Sequence, residues 1–289
     1  MSYTVGLLSP GDMGSAVGQR MVKNGADVVT CLSGRSERTR ALAEAAGISE
    51  VATYDDLVAS CDLVISIMVP SEALGAARSV AAAIEKAGKA LPYTDCNAIA
   101  PGTAKLIGDA ILSAGGRPID AGIIGGPPKG ESSNTRFYAS GADAHLFARL
   151  SDFGLDVRVI GDEIGQASGL KMCYAASTKG TSALMLELLI AARRLGLYDS
   201  LIAEFGLSQE ARLKSLAGLT GVPSKSRRWI GEMEEIAKTF EETGLTPDIF
   251  TGAAEMFRLV GGSKLADETP ESRDRNRSLE DLIRNLSEL

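Results

Sequence analysis

The chain has 289 residues, 45% of them apolar, 23% charged and 5% aromatic, the profile of a globular protein of about two domains rather than a disordered or fibrous chain. Thirty lysines and arginines against 37 acids leave a net charge of −7, which argues against a nucleic-acid or anionic-membrane partner held by bulk charge. The single histidine, His145, leaves no basis for a histidine metal cluster, a Ser-His-Asp triad or a histidine proton donor, so acid–base chemistry falls to Lys, Tyr, Asp, Glu or Cys.

In chain order, β-rich runs over residues 4–8, 27–32, 63–68, 91–95, 117–121, 137–140 and 157–160 alternate with Ala-rich helical stretches over 13–24, 36–46, 54–60, 72–86 and 101–114. Such alternation predicts a parallel sheet wound with helices. After Gly161 the strands stop. Residues 165–195 read as one long helix, apolar almost all round and therefore buried between domains or subunits. Helices over 197–205, 209–219, 225–242 and 247–260 follow, then a charged connector over 267–277 and a last short helix. The apolar stretches are too short for a bilayer span, and the first residues carry neither a basic leader nor a small-residue cleavage site. Cys31, Cys61, Cys96 and Cys173 form no C-x-x-C pair and read as reduced, mostly buried thiols. Together these features predict a cytoplasmic protein.

Between the first strand and the first helix runs Gly6-Leu7-Leu8-Ser9-Pro10-Gly11-Asp12-Met13-Gly14. A glycine-rich turn from strand to helix is the context a dinucleotide site requires. The spacing is G-x-G-x-x-G with Ser9 in place of the first glycine. Gly11 lets the backbone approach a pyrophosphate, Gly14 allows close strand–helix packing, and the N–H groups at the helix start offer partial positive charge to phosphate. An ordinary glycine-lined turn is the alternative; the following βαβ pattern favours the nucleotide. The second strand ends Thr30-Cys31-Leu32-Ser33-Gly34-Arg35-Ser36, with no acid before Glu37. NAD sites usually carry an acid there for the ribose, whereas Arg35, Ser33 and Ser36, with Arg38 and Arg40 nearby, suit a 2′-phosphate. NADP is therefore expected in preference to NAD, the alternative being that Arg35 caps a turn. The expected fold is α/β: a Rossmann-type doubly wound sheet over residues 1–162, followed by an all-α C-terminal domain over 163–289 that the long helix opens.

The chain resembles the β-hydroxyacid dehydrogenases, the group of 3-hydroxyisobutyrate and 6-phosphogluconate dehydrogenases. Gly6 to Gly14 is similar to that group's N-terminal signature, and Met68-Val69-Pro70 to the strand end whose loop lies over the cofactor. Asp95-Cys96-Asn97-Ala98-Ile99-Ala100-Pro101 resembles the D-x-S-T-x-x-P segment beside the nicotinamide. Asp120-Ala121-Gly122-Ile123-Ile124-Gly125-Gly126 resembles the D-A-P-V-S-G-G substrate loop, and Gly165 to Lys171 the G-x-x-x-x-x-K motif that supplies a catalytic lysine. The resemblance implies cofactor contacts from Ser9, Pro10, Gly11, Asp12, Met13, Gly14, Met68, Val69, Pro70 and Asn97, and Lys171 as the acid–base. The chain departs from the pattern at four places. The loop serine is Ile124, the Ser-Thr pair is Asn97-Ala98, the asparagine one turn after the lysine is Ala175, and the C-terminal Lys-Asp pair falls on Gly231-Glu232. The chain is thus identified with a divergent branch whose C-terminal domain has no settled function.

On composition alone Lys171 would be a surface lysine at a helix start; the resemblance makes it catalytic. A charged amine is costly in an apolar helix, and burial would lower its pKa from about 10.4 towards neutrality. It would then protonate a carbonyl oxygen as hydride arrives from NADPH, or take a hydroxyl proton in the reverse direction. At about 100° per residue Tyr174, Ala175 and Thr178 share its face, while Lys179 and Glu187, rotated about 80° and about 160°, do not. Tyr174 or Thr178 would make the substrate contact that Ala175 cannot. The N–H groups of Gly125 and Gly126 would meet a substrate carboxylate, unless they form only a tight turn. Asn97 would position the substrate carbonyl or the nicotinamide amide, or else cap the helix near Pro101. Trp229 reads as core or subunit contact.

These expectations describe an NADP-dependent oxidoreductase acting on a small 3-hydroxy or 3-oxo acid, with no metal. Imine reduction on the same scaffold, or NADP binding without catalysis, are the alternatives. The long helix cannot bury all its faces within its own domain, so a homodimer through the helical domain is expected, with the active site in the cleft between domains.

Overall fold

The computed structural model describes residues 3–130, 133–269 and 272–289. Contacts divide the chain into two compact units, Met1–Met172 and Cys173–Leu289.

The N-terminal unit holds β1 (Thr4–Leu8), β2 (Asp27–Cys31), β3 (Ser49–Val51), β4 (Leu63–Ser66), β5 (Pro92–Asp95), β6 (Arg117–Ile124), β7 (Arg136–Ser140) and β8 (Asp156–Gly161). They form one sheet in the order β3-β2-β1-β4-β5-β6-β7-β8. Helices α1 (Asp12–Lys23), α2 (Glu37–Ala45), α3 (Tyr54–Ser60), α4 (Pro70–Ala87) and α5 (Pro101–Ser113) make the crossovers, and α6 (Ala144–Ala148) leads into a 3-10 turn at Arg149–Phe153. Every ladder is parallel except β6 with β7. The connection between those two strands is shorter than the dozen or so residues that a parallel crossover needs. Strand β3 was not expected: three edge residues carry too little periodicity to register.

The sheet is apolar on both faces, as parallel strands covered by helices must be. Val5 and Leu7 of β1, with Leu63 and Ile65 of β4, join Val17, Met21 and Phe147 in one core. The alternate residues Leu8 and Val64 join Leu57, Val80, Ile84 and Tyr93 in the other, the period-two consequence of the pleat. Each such side chain contributes roughly 1.5–3 kcal/mol by leaving water. The chain winds one way from β1 through β2 to β3 and the other way from β4 to β6. The carboxyl ends of β1 and β4 therefore flank the point where an open α/β sheet binds its ligand.

Helix α7 (Gln166–Ala175) carries the chain out of the first unit. A π-helical stretch at Ala176–Gly180 follows, then α8 (Thr181–Arg194), α9 (Tyr198–Ser208), α10 (Glu210–Ser215), a 3-10 turn at Leu216–Gly221, α11 (Pro223–Glu242), α12 (Asp248–Gly261) and α13 (Leu279–Ser287). The single long helix expected over 165–195 is thus broken in its hydrogen-bond pattern at a run of weak helix formers, Ser177, Thr178 and Gly180. Helix α11 packs on α12, and α13 lays Leu282, Ile283 and Leu286 into the unit beside α8. Among the described residues no helix is long and apolar enough to cross a membrane.

Candidate functional site

The turn after β1 is built around two glycines and one unusual serine. Ser9 adopts φ +61°, the one non-glycine residue with positive φ among those described, and its carbonyl accepts the Gly11 N–H at 2.7 Å. A Cβ on Gly14 would stand 2.6 Å from that same carbonyl oxygen, so α1 can approach the turn only with glycine there. A Cβ on Gly11 would meet nothing within 4 Å, leaving open space above the turn. Gly11 is the N-cap of α1 and offers no side chain to its first N–H groups. Pro10 is buried, and Met13 is half-buried against the core. This cradle fits a dinucleotide pyrophosphate: an uncapped helix N-terminus, an open approach, and a position at the switch point.

At the end of β2 the side chains divide. Ser36 is the N-cap of α2, its Oγ accepting the Thr39 N–H at 3.3 Å. Arg38 Nη2 pairs with Asp12 Oδ1 at 2.5 Å, so the Asp12 carboxylate, set at the start of α1, already has a cation. Arg40 is held by Glu50 at 3.2 Å and by the Leu32 carbonyl at 2.7 Å. Arg35, half-buried beside the exposed Ser33, has no acidic partner among the described residues.

At the ends of β4 and β5 the chain builds a closed polar network. Asn97, 2% exposed, donates from Nδ2 to Asp95 Oδ2 at 2.7 Å and to Ser66 Oγ at 3.0 Å, and accepts the Met68 N–H on Oδ1 at 2.5 Å. Its side chain thus locks the loop Met68-Val69-Pro70, of which Val69 is exposed and Pro70 opens α4. Burial pushes the Asp95 carboxyl up to about 7, the Asn97 backbone and side-chain donors opposing and the nearby Asp120 carboxylate adding to the rise.

Asp120, in β6, is the second buried acid and sits beside Asp95 in the ladder. Its Oδ2 accepts the N–H groups of Gly165 at 2.9 Å and Ser168 at 3.0 Å, and the Ser140 hydroxyl at 3.2 Å. Its Oδ1 accepts the Ser168 hydroxyl at 2.6 Å. Burial raises this carboxyl as well, and those donors offset part of the rise. The carboxylate therefore sits on the N-terminal end of α7, where the helix dipole favours negative charge. Sequence reasoning passed over Asp120, Ser140 and Ser168 as working residues, although an acid inside the apolar run Ile119-Asp120-Ala121 was the signal.

The same helix brings Lys171 to the end of β6. Its half-buried side chain donates from Nζ to the Ile123 carbonyl at 2.5 Å. A Cβ on Gly122 would lie 2.8 Å from Lys171 Cβ and 2.9 Å from the Ala167 carbonyl oxygen, so strand and helix meet in contact at the lysine. Beyond the strand, Gly125 takes φ +126° and, with Gly126, is exposed. Ile124 is buried. Ser9 to Gly14, Met68 to Pro70, Asn97, Gly125 and Lys171 thus all lie at the carboxyl ends of the neighbouring strands β1, β4, β5 and β6.

Tyr174 is exposed in the last turn of α7. Thr178 falls in the π-helical stretch, where the stepping of about 100° per residue no longer applies, so the shared face expected for Thr178 and the offset expected for Lys179 do not follow. The Thr178 hydroxyl turns back to the Ala175 carbonyl at 3.3 Å. In the C-terminal unit Glu232 is nearly buried and takes an ion pair from Lys179 and a second from Arg228 at 3.3 Å. Trp229, one turn before it along α11, packs edge-on against Phe257 at 5.2 Å.

Residues 4–153 match the family described as the NAD binding domain of 6-phosphogluconate dehydrogenase, and residues 192–260 match a domain of unknown function, DUF1932. An uncharacterized 28.5 kDa protein of Methanothermus fervidus is 31% identical over 260 residues, which is 89% of this chain and 98% of that protein. Among solved structures, a conserved protein of unknown function described as structurally similar to 3-hydroxyacid dehydrogenases is 32% identical with a TM-score of 0.68, covering 89% of this chain and 96% of that one. The 3-hydroxyisobutyrate dehydrogenase of Mycobacterium tuberculosis shares the fold with a TM-score of 0.66 at 18% identity, over 99% of both chains. With the dinucleotide cradle at the switch point and the lysine at the end of β6, these matches place the chain in the family of the NAD-binding domain of 6-phosphogluconate dehydrogenase, as a divergent β-hydroxyacid dehydrogenase, an oxidoreductase of CH–OH groups whose C-terminal part is a domain of unknown function.

Proposed function

We propose that the protein is an NADP-dependent oxidoreductase of a small 3-hydroxy or 3-oxo acid, with Lys171 as its general acid and base. The observation that carries this reading is the placement of Lys171. Its amine is held at the Ile123 carbonyl by a strand–helix contact that only Gly122 permits, on a helix whose N-terminus Asp120 anchors. A bound nicotinamide supplies or accepts the hydride. Lys171 Nζ gives a proton to the carbonyl oxygen in reduction and takes the hydroxyl proton in oxidation. The exposed turn at Gly125 and Gly126 offers backbone N–H groups to the substrate carboxylate, and Tyr174 a hydroxyl. Asn97 acts by position, holding the loop at Met68 rather than touching substrate with an already engaged side chain.

The choice of NADP rests on Arg35. Among the described residues it is the guanidinium at the end of β2 without an acidic partner, while Arg38 and Arg40 are taken up by Asp12 and Glu50. Ile124 stands where the resembled group carries a serine, so cyclic imines belong beside hydroxy and oxo acids in the assay.

The test is steady-state turnover followed by nicotinamide absorbance over that panel, with NADP(H) and NAD(H) in parallel. Lys171→Met is expected to lower kcat by roughly 10²–10⁴-fold, the usual share of general acid–base catalysis, with NADPH binding retained. Full activity in that variant would overturn the assignment. Arg35→Ala is expected to weaken NADPH by about ten- to a hundredfold, the worth of a charge-assisted phosphate contact, and to leave NADH unchanged. Equal losses for both cofactors would remove the argument for NADP.

A further inference from the structure

Helix α11 begins with a cluster of cationic side chains. Its first turn carries no acid, its N-cap Val222 supplies no side-chain acceptor, and the sequence there is Pro223-Ser224-Lys225-Ser226-Arg227-Arg228. The backbone of Val222 is itself helical, with φ −72° and ψ −42°, and joins the 3-10 turn at Leu216–Gly221 to α11, and the Lys225 N–H donates to the Val222 carbonyl at 2.9 Å, so the positive charge here belongs to the side chains. Arg227 is accounted for, donating to the Gly261 carbonyl at 2.9 Å and pairing with Asp267 at 2.7 Å. Lys225 and Arg273 are not: among the described residues neither has a carboxylate partner.

Arg273 reaches this end of the helix over a glycine. A Cβ on Gly221 would stand 2.4 Å from Arg273 Nη1, so the buried Gly221 backbone is the floor on which that guanidinium rests. Lys225 Nζ lies 5.8 Å from the centre of the Trp229 ring, and Lys179 Nζ lies 5.7 Å from the same centre. Partial burial of Lys225, then the charges of Arg228 and Arg273, push its ammonium below the ordinary lysine range. The Glu232 carboxylate beside them is shared between Arg228 and Lys179. Lys225 and Arg273, beside an Arg228 whose carboxylate is already shared, leave an excess of positive charge in a chain of net charge −7, and like charges repel one another unless a further anion joins them.

We infer that the side chains of Lys225, Arg228 and Arg273, gathered beside Trp229, form a binding site for an oxyanion, a carboxylate or phosphate group borne by a small molecule. The site gives the domain of unknown function a ligand chemistry, and it stands whether or not hydride transfer is the reaction. The guanidinium of Arg228 presents paired N–H donors suited to a planar or tetrahedral oxyanion, Lys225 adds a point charge, and the indole forms an apolar wall.

Trp229 is the sole tryptophan and lies against Lys225, so its emission reports the site directly. Inorganic phosphate and malonate are titrated at constant ionic strength, with chloride as reference. The protein is used free and saturated with NADP, so that phosphate cannot be read at the dinucleotide turn. Calorimetry runs beside the emission, to register binding that leaves the indole unperturbed. The expected result is saturable one-to-one binding of at least one of the two anions, weakened about tenfold or more by Lys225→Met and by Arg273→Met. Lys214→Met, removing a lysine already paired with Glu210, is expected to leave it unchanged. A stronger response to phosphate assigns a phosphorylated ligand, and a stronger response to malonate assigns a carboxylate. No binding of either anion beyond chloride, or equal affinity in both variants, overturns the proposal. Because binding is read without turnover, an inactive hydride-transfer assay leaves this result standing.

Discussion

Ser9 holds a backbone that glycine would adopt more cheaply. A left-handed φ costs an L-residue roughly 1–2 kcal/mol, and the chain accepts that cost where the Ser9 carbonyl must meet both the Gly11 N–H and the approach of Gly14. Asp95 carries a comparable tension in its charge. Its folded pKa of about 7 stands above the unfolded value near 3.8, so the folded state binds the proton more tightly. This group's contribution to stability is largest at acid pH and falls as pH rises from about 4 to about 7, then stays level. The slope is at most about 1.4 kcal/mol per pH unit. Urea unfolding of the wild type and of Asp95→Asn, compared from pH 4 to pH 8, is expected to show their difference shifting in favour of the variant up to pH 7 and constant beyond; a pH-independent difference would refute the assignment. At this scale the sequence was legible in kind but not in partnership. It exposed Ser9 in a glycine position, yet nothing in Asn97 announced that three hydrogen bonds would close around it inside the sheet. Nor did Asp12 announce Arg38: Met68 and Ser66 lie 29 and 31 residues from Asn97, and Arg38 lies 26 from Asp12.

Strand β6 and helix α7 act as one device. Asp120 takes the first N–H groups of the helix, Gly122 lets it lie against the strand, and Lys171 emerges at the strand's end. Gly122→Ala would force its Cβ against the Ala167 carbonyl and the Lys171 Cβ, contacts that neither backbone can yield cheaply. Overpacking of this kind costs roughly 1–3 kcal/mol. Because the displacement falls on the lysine, kcat is expected to drop further than KM rises, while NADPH affinity stays at the wild-type value. A Gly122→Ala enzyme with unchanged kcat and thermal midpoint would show that strand and helix have slack there. Most elements were readable from their periodicity, and the two glycine-bearing motifs were readable from their order along the chain. The π-helical stretch was not, because its signal is a few weak helix formers in a segment otherwise fit for an unbroken helix. With it went the face arithmetic for Thr178 and Lys179, which assumes a constant turn per residue.

At the scale of the whole chain, the alternation of strands and helices up to Gly161 and its cessation afterwards made the two-part architecture legible. The antiparallel β7 was hidden because strand direction depends on connection length rather than on the strand's own residues. The C-terminal unit leaves large apolar side chains in solvent: Leu184 on α8 is 56% exposed, and Leu195, Leu197 and Leu207 are more than half exposed. Single exposed leucines are ordinary on a protein surface. Four within one stretch of helices agree with the homodimer expected from the apolar character of residues 165–195, and a closed twofold pair would remove them from water. Light scattering at micromolar concentration is therefore expected to give twice the mass of the chain. Leu184→Glu, which adds a charge to an already exposed position and so costs the isolated chain little, is expected to shift the equilibrium towards one chain without altering its circular dichroism. A wild-type mass of one chain would overturn the dimer. A dimer indifferent to Leu184→Glu would move the interface off α8 and leave the family assignment untouched, since the cradle of Ser9 to Gly14 and the Lys171 contact both lie within the N-terminal unit.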